Sequence, residues 1–376
     1  MLRGPLRSSA LRQAAAELGR LPEFAEARQL CAISDVTGAL RPLERACDVM
    51  QHVPMPAMQL VTQGALAQAL RAAGLLVREA DVWKRILSTD LDASLRLHAL
   101  NGLITCNLHR GRSDDALVQC NEALSLCEPR PDALRWEASF LIQRALAQSG
   151  KPSDAAEQLE HALSRLGSVE LSSADEDEAG AIGAATCSAR LLLGDQLVRL
   201  DRGEEAQQMW NLSLAPDGIS VAALDSLSEE SAQPVSEGEQ DRVLRAVAAH
   251  GRLGKQAMVA RELDEADGQL KAALKLCELH LPRDAGNEHP LLHHSIGALA
   301  SCFAAKLEPI AAEGLFRSAI DGLLGGAGGQ PRTLMHARLV TVAMEDFAVM
   351  LSDLEWNNKP VRLLQETPRH TSSEPP

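Results

Sequence analysis

The stretch GRSDDALVQCNEALSL, residues 111–126, contains two alanines, Ala116 and Ala123, that stand seven residues apart in an otherwise leucine-spaced sequence. Seven steps along an α-helix return to within about 20° of the same face, two turns further on. A polar turn that contains Gly111 precedes the two alanines. The stretch therefore predicts a helix with small side chains on one face, where a second helix can pack at close range.

Pairs of small residues with this seven-residue spacing recur along the chain. The pairs are Ala39 with Ala46, Ala116 with Ala123, Ala155 with Ala162, Ala266 with Ala273 and Ala312 with Ala319, and Ala206 with Ser213 is a sixth, degraded pair. A larger apolar residue often lies four positions after the first small residue, as Trp210, Leu270 and Phe316 do. Another segment of helical periodicity and a short turn precede most pairs. The repeating unit is therefore a helix, a turn and a helix.

These residues resemble the tetratricopeptide repeat (TPR) family, whose units consist of a first helix, A, with a Leu-Gly pair and a second helix, B, with small residues around an aromatic. Gly194 and Gly254 each follow a leucine and stand twelve residues before a leading alanine, as the family pattern requires, and Phe316 matches the aromatic of helix B. The resemblance covers roughly residues 25 to 350. It implies an all-α fold, a TPR-like α-solenoid in which antiparallel helix pairs stack into a superhelix with a concave groove.

The sequence also departs from the family pattern. The helix A tyrosine position, nine residues before each leading alanine, is occupied by Asn107, Leu146, Leu197, Ala257 and Phe303. From about residue 285 onward the chain is similar to the longer repeats of kinesin light chains, whose units often begin with His-Pro. The step from His289 to Pro290 fits a helix start, because proline is tolerated at the first helical position.

Composition shifts divide the chain into five segments. We predict a mitochondrial transit peptide or N-terminal helix over 1–20, repeats over 21–216, an acidic Ser-rich loop over 217–241, repeats over 242–365 and a disordered tail over 366–376. Within the first repeat segment, the acidic stretch 171–180 is predicted to be a connecting loop, because runs of charge are usually solvated. The first segment carries Arg3, Arg7 and Arg12 with no acidic residue before Glu17, a composition that resembles a transit peptide. This favours a mitochondrial location, with a cytoplasmic one as the alternative.

The overall composition favours a protein-binding function. The chain has 376 residues and a formal net charge of −14, and no basic stripe of the kind that nucleic-acid binding requires is evident, so we expect no nucleic-acid partner. No run of about 18 apolar residues occurs, so we expect no membrane span. None of the 8 cysteines forms a CxxC pair, and we interpret them as buried small side chains in a reducing compartment.

The strongest candidate for metal chemistry is EHPLLHHS, which contains Glu288, His289, His293 and His294. His289 and His293 are four residues apart, a spacing that can place two imidazoles on one helix face. The segment lacks the HExxH pattern, and the His-Pro start already has a structural explanation. We therefore predict no metal, no cofactor and no catalytic residues, and keep a metal-dependent hydrolase as an alternative.

The TPR resemblance places three polar residues of one helix A, Asn101, Thr105 and His109, at candidate positions in the groove. The basic companions that would grip a carboxylate terminus are absent nearby, and the chain is acidic. We therefore expect a basic or apolar segment of a partner protein in the groove. The function predicted is a non-enzymatic scaffold, as an assembly or accessory factor of a mitochondrial complex. A cytosolic adaptor similar to kinesin light chain, or a permanent subunit of a large complex, is an alternative.

Overall fold

The structure is a computed structural model. It describes residues 9–32, 35–53, 55–128, 133–168, 176–214, 237–281, 289–325, 329 and 333–353. All regular secondary structure in these ranges is helical. The chain divides into two compact units, Met1–Pro216 and Asp217–Pro376.

The described part of the first unit contains eleven helices. They are α1 (Ser9–Leu18), α2 (Pro22–Ala32), α3 (Val36–Gln51), α4 (Pro56–Ala72), α5 (Leu76–Leu87), α6 (Ala93–His109), α7 (Ser113–Cys127), α8 (Leu134–Ala147), α9 (Pro152–Gly167), α10 (Glu176–Arg199) and α11 (Gly203–Leu214). The described part of the second unit contains five. They are α12 (Glu237–Val259), α13 (Leu263–His280), α14 (Pro290–Ala305), α15 (Pro309–Leu324) and α16 (Leu334–Asp353).

The helices pack as successive pairs. Within the first unit, from α2 onward, each helix packs against the next, and α4, α6, α8 and α10 also pack one against another in that order. In the second unit α12, α14 and α16 form the same kind of row, with α13 and α15 as the second helices of two pairs. Short turns join the two helices of a pair, which makes them antiparallel. The prediction of an all-α, TPR-like array of stacked helix pairs is confirmed.

The small residues at seven-residue spacing lie on the faces where helices meet. Each leading alanine is fully buried, and the most exposed residue of the six pairs, Ser213, is only 5% exposed. The leading alanines are Ala39, Ala116, Ala155, Ala206, Ala266 and Ala312. Their partners Ala46, Ala123, Ala162, Ala273 and Ala319 are also buried. A larger side chain at any of these positions would have to displace a neighbouring helix.

Two helix A glycines allow the large side chain of helix B to approach the backbone. A Cβ atom added to Gly194 would lie 2.7 Å from Cδ1 of Trp210, and one added to Gly254 would lie 2.7 Å from Cγ of Leu270. Phe316, the aromatic of α15, stacks on Phe347 of α16 with ring centroids 5.2 Å apart. The glycines of the Leu-Gly pairs are therefore sites of close helix approach.

Five of the turns that join helix A to helix B share one backbone conformation. A residue with positive φ occupies the same place in each: Gly74, Gly111, Asp201, Arg261 and Leu307. The N–H of the following residue donates to a carbonyl five positions earlier at 2.8–3.0 Å, as in the Schellman motif. Glycine suits this conformation best, because it carries no Cβ atom.

Two predicted connectors are partly helical. The acidic stretch 171–180 was expected to be a loop, but α10 begins at Glu176, and the loop predicted over 217–241 ends early because α12 begins at Glu237. Acidic residues favour the N-terminal turn of a helix, since they interact well with its dipole. The remainder of 217–241 and all of the tail predicted over 366–376 lie outside the described residues.

The N-terminal helix contributes to the core of the first unit. Ala14 and Leu18 of α1 are 2% and 0% exposed, and α1 packs against α4. Residues 1–8 of the segment predicted as a transit peptide lie outside the described ranges. No helix in the described part of the chain is both long and apolar enough to cross a membrane.

Candidate functional site

The predicted groove residues lie on the exposed side of α6. Asn101 and Thr105 are half-buried and one helical turn apart, and the Thr105 hydroxyl donates to the Asn101 carbonyl oxygen at 2.7 Å. His109 is half-buried in the last turn of the same helix. The Thr105 hydroxyl is therefore bonded within its own helix, whereas the Asn101 side chain can reach another helix.

An amide pair joins α6 to α8 on this side. Nε2 of Gln143, on α8, donates a hydrogen bond to Oδ1 of Asn101. The other amide atom of Gln143, Oε1, is buried and has no hydrogen-bond partner among the described residues. An unpaired buried acceptor carries a free-energy cost.

A row of rings continues the same side of α6 and α8. His98 of α6 lies edge-on to Trp136 of α8, with ring centroids 6.4 Å apart, and Trp136 stacks on Phe140 at 5.7 Å. His98 and Trp136 are half-buried, whereas Phe140 is fully buried. We call the half-buried residues His98, Asn101, Thr105, Trp136 and Gln143 the α6–α8 face. It combines a flat aromatic surface with amide groups, which suits contact with a peptide chain.

The equivalent row of helices in the second unit carries ionisable groups. Burial and the nearby Lys255 ammonium lower the pKa of His294 to about 4, so this imidazole is neutral at pH 7. The carboxyl of Asp346 retains access to solvent, yet desolvation raises its pKa, and Lys255 and a hydrogen bond from Ser301 partly offset that rise. Lys255 of α12 therefore interacts electrostatically with His294 of α14 and with Asp346 of α16.

The histidines of the candidate metal site do not converge. His289 precedes α14 and its Nδ1 accepts a hydrogen bond from the Leu291 N–H at 3.3 Å, as an N-cap does. His293 is buried against the backbone of Gly322 on α15. Glu288 lies outside the described residues, and within the described part no group of three or more His, Cys, Asp or Glu side chains could hold a metal ion.

The thiols are packed as core residues. Seven of the eight free cysteines are buried, and Cys31 is half-buried. Burial raises the pKa of Cys47, Cys106 and Cys120 to about 12 in each case. A thiol with so high a pKa is protonated at pH 7, and a protonated thiol is a poor nucleophile.

A cavity of about 310 Å³ lies between α3, α4 and α5. Its rim carries both signs of charge, and Glu44 and Arg78 pair across it at 2.7 Å. Its other lining residues are Cys47, Asp48, Gln51, Leu66, Leu70, Asp81, Val82 and Arg85. With two arginines set against three carboxylates, the cavity has no strong preference for the charge of a ligand.

Sequence reasoning identified Asn101 but missed His98, Trp136 and Gln143. Gln143 stands at the position where the family pattern has glycine, twelve residues before Ala155, so the pattern predicts a small buried residue there. A glutamine at a position where the pattern has glycine indicates that this helix A uses the position for a polar contact and not for close packing. Its contact with Asn101 spans 42 positions, which no local spacing could predict.

The chain matches no protein-family model and no curated protein sequence. Among solved structures it is similar to BtubC (BKLC) from P. vanneervenii, with 16% identity over 86% of this chain and 96% of that chain and a TM-score of 0.44. It is also similar to the apo form of the quorum sensor NprR from B. thuringiensis, with 14% identity over 95% and 96% and a TM-score of 0.47. A tetratricopeptide repeat protein from Parabacteroides merdae matches with 12% identity over 94% and 98% and a TM-score of 0.34. With similarities this low, the fold assignment rests on the helix pairs described above.

Proposed function

We propose that this chain is a non-enzymatic scaffold that binds an extended or helical segment of a partner protein on the α6–α8 face. The observation that carries the proposal is the Asn101–Gln143 amide pair beside the His98–Trp136 ring contact. These groups come from two neighbouring A helices and are held in place by contacts within the protein. A preorganised surface binds with less loss of side-chain entropy than a mobile one.

The chemistry of the face favours a peptide-like ligand. The amide groups of Asn101 and Gln143 can form hydrogen bonds with a peptide backbone, and the ring of Trp136 can pack against an apolar side chain. The net charge of −14 favours a partner that is basic or apolar over an acidic one. The expected partner segment therefore alternates apolar anchors with lysine or arginine.

Affinity capture of the full chain from its own cells, with mass spectrometry of the co-purifying proteins, tests this proposal. The variant Asn101→Ala/Gln143→Ala should lose a partner that the wild type retains. The matched control is Asn121→Ala/Gln207→Ala, which makes the same chemical changes at exposed positions of two B helices, α7 and α11. If the first variant retained every partner, or if the control lost the same one, the α6–α8 face would not be the binding site.

We also propose a mitochondrial location, in which the scaffold is an assembly or accessory factor of a mitochondrial complex. The support is the arginine-containing, acid-poor composition of the first residues. Since Leu18 is fully buried, removal of residues 1–20 would expose apolar core, so processing should stop before α1. The N-terminal peptide of the captured protein tests this: cleavage ahead of Ser9 is expected, and an intact Met1 would contradict import with cleavage.

The alternative is a cytosolic adaptor similar to kinesin light chain. It is favoured by the helix start at His289 and Pro290, which matches the usual beginning of those longer repeats. The same capture experiment separates the two proposals. Respiratory or ribosomal partners support the mitochondrial scaffold, whereas motor or vesicle partners with an intact N-terminus support the adaptor.

A further inference from the structure

Three apolar side chains in the second unit are almost fully exposed. Val259 at the end of α12 is 77% exposed, Leu307 in the turn between α14 and α15 is 86% exposed, and Ile310 at the start of α15 is 89% exposed. These are the three most exposed large apolar side chains in the part of the chain that the structure describes. Scattered exposed apolar residues are ordinary, but a group of them marks a surface that another molecule covers.

The turns that carry these side chains adjoin. Lys306, immediately before Leu307, reaches the first turn of α13, where its Nζ lies 3.1 Å from Oδ1 of Asp264 and 3.5 Å from Oδ2 of Asp267. Val259 stands four residues before the first residue of α13. The turn from α12 to α13 and the turn from α14 to α15 therefore lie side by side. We call Val259, Leu307 and Ile310 the turn-edge surface.

Leu307 is poorly suited to its place in the isolated chain. Its φ of 63° lies in the left-handed region, where a Cβ atom crowds the following carbonyl oxygen. Gly74 and Gly111 occupy the equivalent position of two other turns and avoid this crowding. Leu307 is therefore both strained and exposed, and no packing among the residues that the structure describes compensates for either cost.

The charges around the turn-edge surface indicate its occupant. Exposed carboxylates flank it on both turns, at Glu262, Asp264, Glu265 and Glu308. Of the two nearby basic residues, Lys306 is paired with carboxylates of α13, which leaves Arg261 as the exposed cation. A second copy of this chain would bring a like-charged rim against this one, which is unfavourable. A basic segment with apolar residues complements both the charge and the exposed side chains.

We propose that Val259, Leu307 and Ile310 form a docking site for a basic amphipathic helix of a partner protein, with the surrounding carboxylates binding its lysine or arginine residues. Apolar anchors of the helix cover the three side chains. The site uses none of the residues of the α6–α8 face, so its success or failure is distinguishable from that of the proposed function.

Fluorescence polarisation of labelled synthetic peptides with the full chain tests the docking site. The probe is a helical peptide that consists of lysine and leucine in amphipathic spacing, and the matched probe has glutamate in place of every lysine. The lysine peptide should bind and weaken with added salt, whereas the glutamate peptide should not bind. Equal binding of the two peptides would overturn the proposed charge complementarity.

Variants of the protein locate the binding. Leu307→Ser/Ile310→Ser should weaken binding of the lysine peptide by about tenfold or more, because two apolar contacts are lost. Val118→Ser/Val349→Ser changes two other exposed apolar residues, at 68% and 61% exposure, and should leave the affinity unchanged. Unchanged affinity in the first variant, or equal loss in the control, would overturn the assignment.

Leu307→Gly separates binding from folding. Glycine relieves the left-handed strain, so this variant should unfold at a temperature at least as high as the wild type while it binds the lysine peptide more weakly. A variant that is less stable and also binds less would show that Leu307 serves the fold, and would contradict a docking role. Sedimentation of the wild type provides the second test. A dimer that the variant Leu307→Ser/Ile310→Ser converts to a monomer would show that a second copy of this chain occupies the site, and would overturn the proposal of a basic partner.

Discussion

Two tryptophans of the first unit pack on helix A glycines, and their surroundings differ. A Cβ atom added to Gly194 would collide with Trp210, and one added to Gly102 would lie 2.7 Å from Cδ2 of Trp83. Trp210 packs on the A helix of its own pair, α10. Trp83 of α5 lies close to Gly64 of its own A helix, α4, but packs more tightly on α6, the A helix of the next pair. One glycine contact therefore joins the two helices of a pair, and the other joins two successive pairs.

The two indole N–H groups also have different acceptors. Trp210 Nε1 donates to the backbone carbonyl of Leu191 at 3.2 Å, and Trp83 Nε1 donates at the same distance to Oε1 of Glu79. The Glu79 carboxylate is fully buried and pairs with Arg71 of α4. The indole that makes the contact between pairs is thus bonded to a buried carboxylate of its own helix, which an ion pair within α4 and α5 holds in place, while Trp210 depends on packing and a neutral hydrogen bond. Each of the following predictions tests that difference.

The largest effect is expected at the buried carboxylate. Glu79→Gln removes the charge and leaves Arg71, 24% exposed, without its partner, which should cost about 3 kcal/mol of unfolding free energy. The control Glu26→Gln removes a carboxylate that is 52% exposed and paired with Arg45, and should cost less than about 1 kcal/mol. Denaturant unfolding of the full chain measures both. Equal losses would show that the ion pair of Glu79 is no more important than a surface pair.

The next largest effect on stability is expected at Gly102 and Gly194. Gly102→Ala and Gly194→Ala should each destabilise the fold by about 2 kcal/mol, because the added methyl group forces an indole ring to move. Gly183→Ala, in the same helix as Gly194, places its methyl group where no atom lies within 4 Å. This control should gain up to about 1 kcal/mol from helix propensity. A neutral Gly102→Ala would mean that successive pairs do not depend on this contact.

A smaller difference in stability is expected when each indole loses its hydrogen bond. Trp83→Phe deprives a buried carboxylate of a donor and should cost about 2 kcal/mol, whereas Trp210→Phe deprives a backbone carbonyl and should cost about 1 kcal/mol. Thermal unfolding of the two variants under one buffer condition makes the comparison. The reverse order would contradict the role assigned to the buried charge.

A half-buried imidazole, that of His294, extends the comparison to the second unit. The pKa of His294 is about 4 in the folded protein, below its ordinary value of 6.5, so the unfolded chain binds this proton first as the pH falls. Stability should therefore fall between pH 6.5 and pH 4, by about 1 kcal/mol at pH 5 after allowance for solvent screening. The variant His294→Gln should lose less stability than the wild type between pH 7 and pH 5. Parallel pH curves would show that His294 is not the group responsible.

The sequence predicted the contacts within a pair far better than those between pairs. The twelve-residue step from Gly194 to Ala206, and the four further residues to Trp210, follow from the repeat, so their meeting could be expected from spacing alone. The Trp83–Gly102 contact follows no such spacing, because it depends on how one pair stacks on the next. The spacing of side chains along a helix identifies one face of that helix. The stacking of two helix pairs depends on the shapes of both contacting surfaces.

The candidate site shows the same limit. The TPR resemblance predicts Asn101 as a groove residue, but its partner Gln143 comes from a different helix pair. The acidic start of α10 at Glu176 has the charge density that is typical of a solvated loop, but acidic residues also favour a helix start, and the helix forms. Polar residues within a repeat are thus the positions where spacing alone predicts least.

The helix pair α6 and α7 indicates that the close packing of helix A on helix B depends on the combined volume of two facing side chains. In α6 and α7 the positions equivalent to Gly194 and Trp210 hold Ile104 and Cys120, and both are fully buried. The large and small side chains have exchanged helices. The repeat pattern treats each position separately, so it does not predict that the large side chain of Ile104 compensates for the small one of Cys120.

A double-mutant cycle tests this account most directly, by introducing the Ile–Cys arrangement as Gly194→Ile and Trp210→Cys. Each single variant should lose about 3 kcal/mol or more of unfolding free energy, one through overpacking and the other through a cavity. The double variant should be more stable than the sum of the two losses predicts by at least about 2 kcal/mol, because the isoleucine fills the space that the indole leaves. Losses that add to within about 0.5 kcal/mol would contradict the account, since the two positions would then contribute independently.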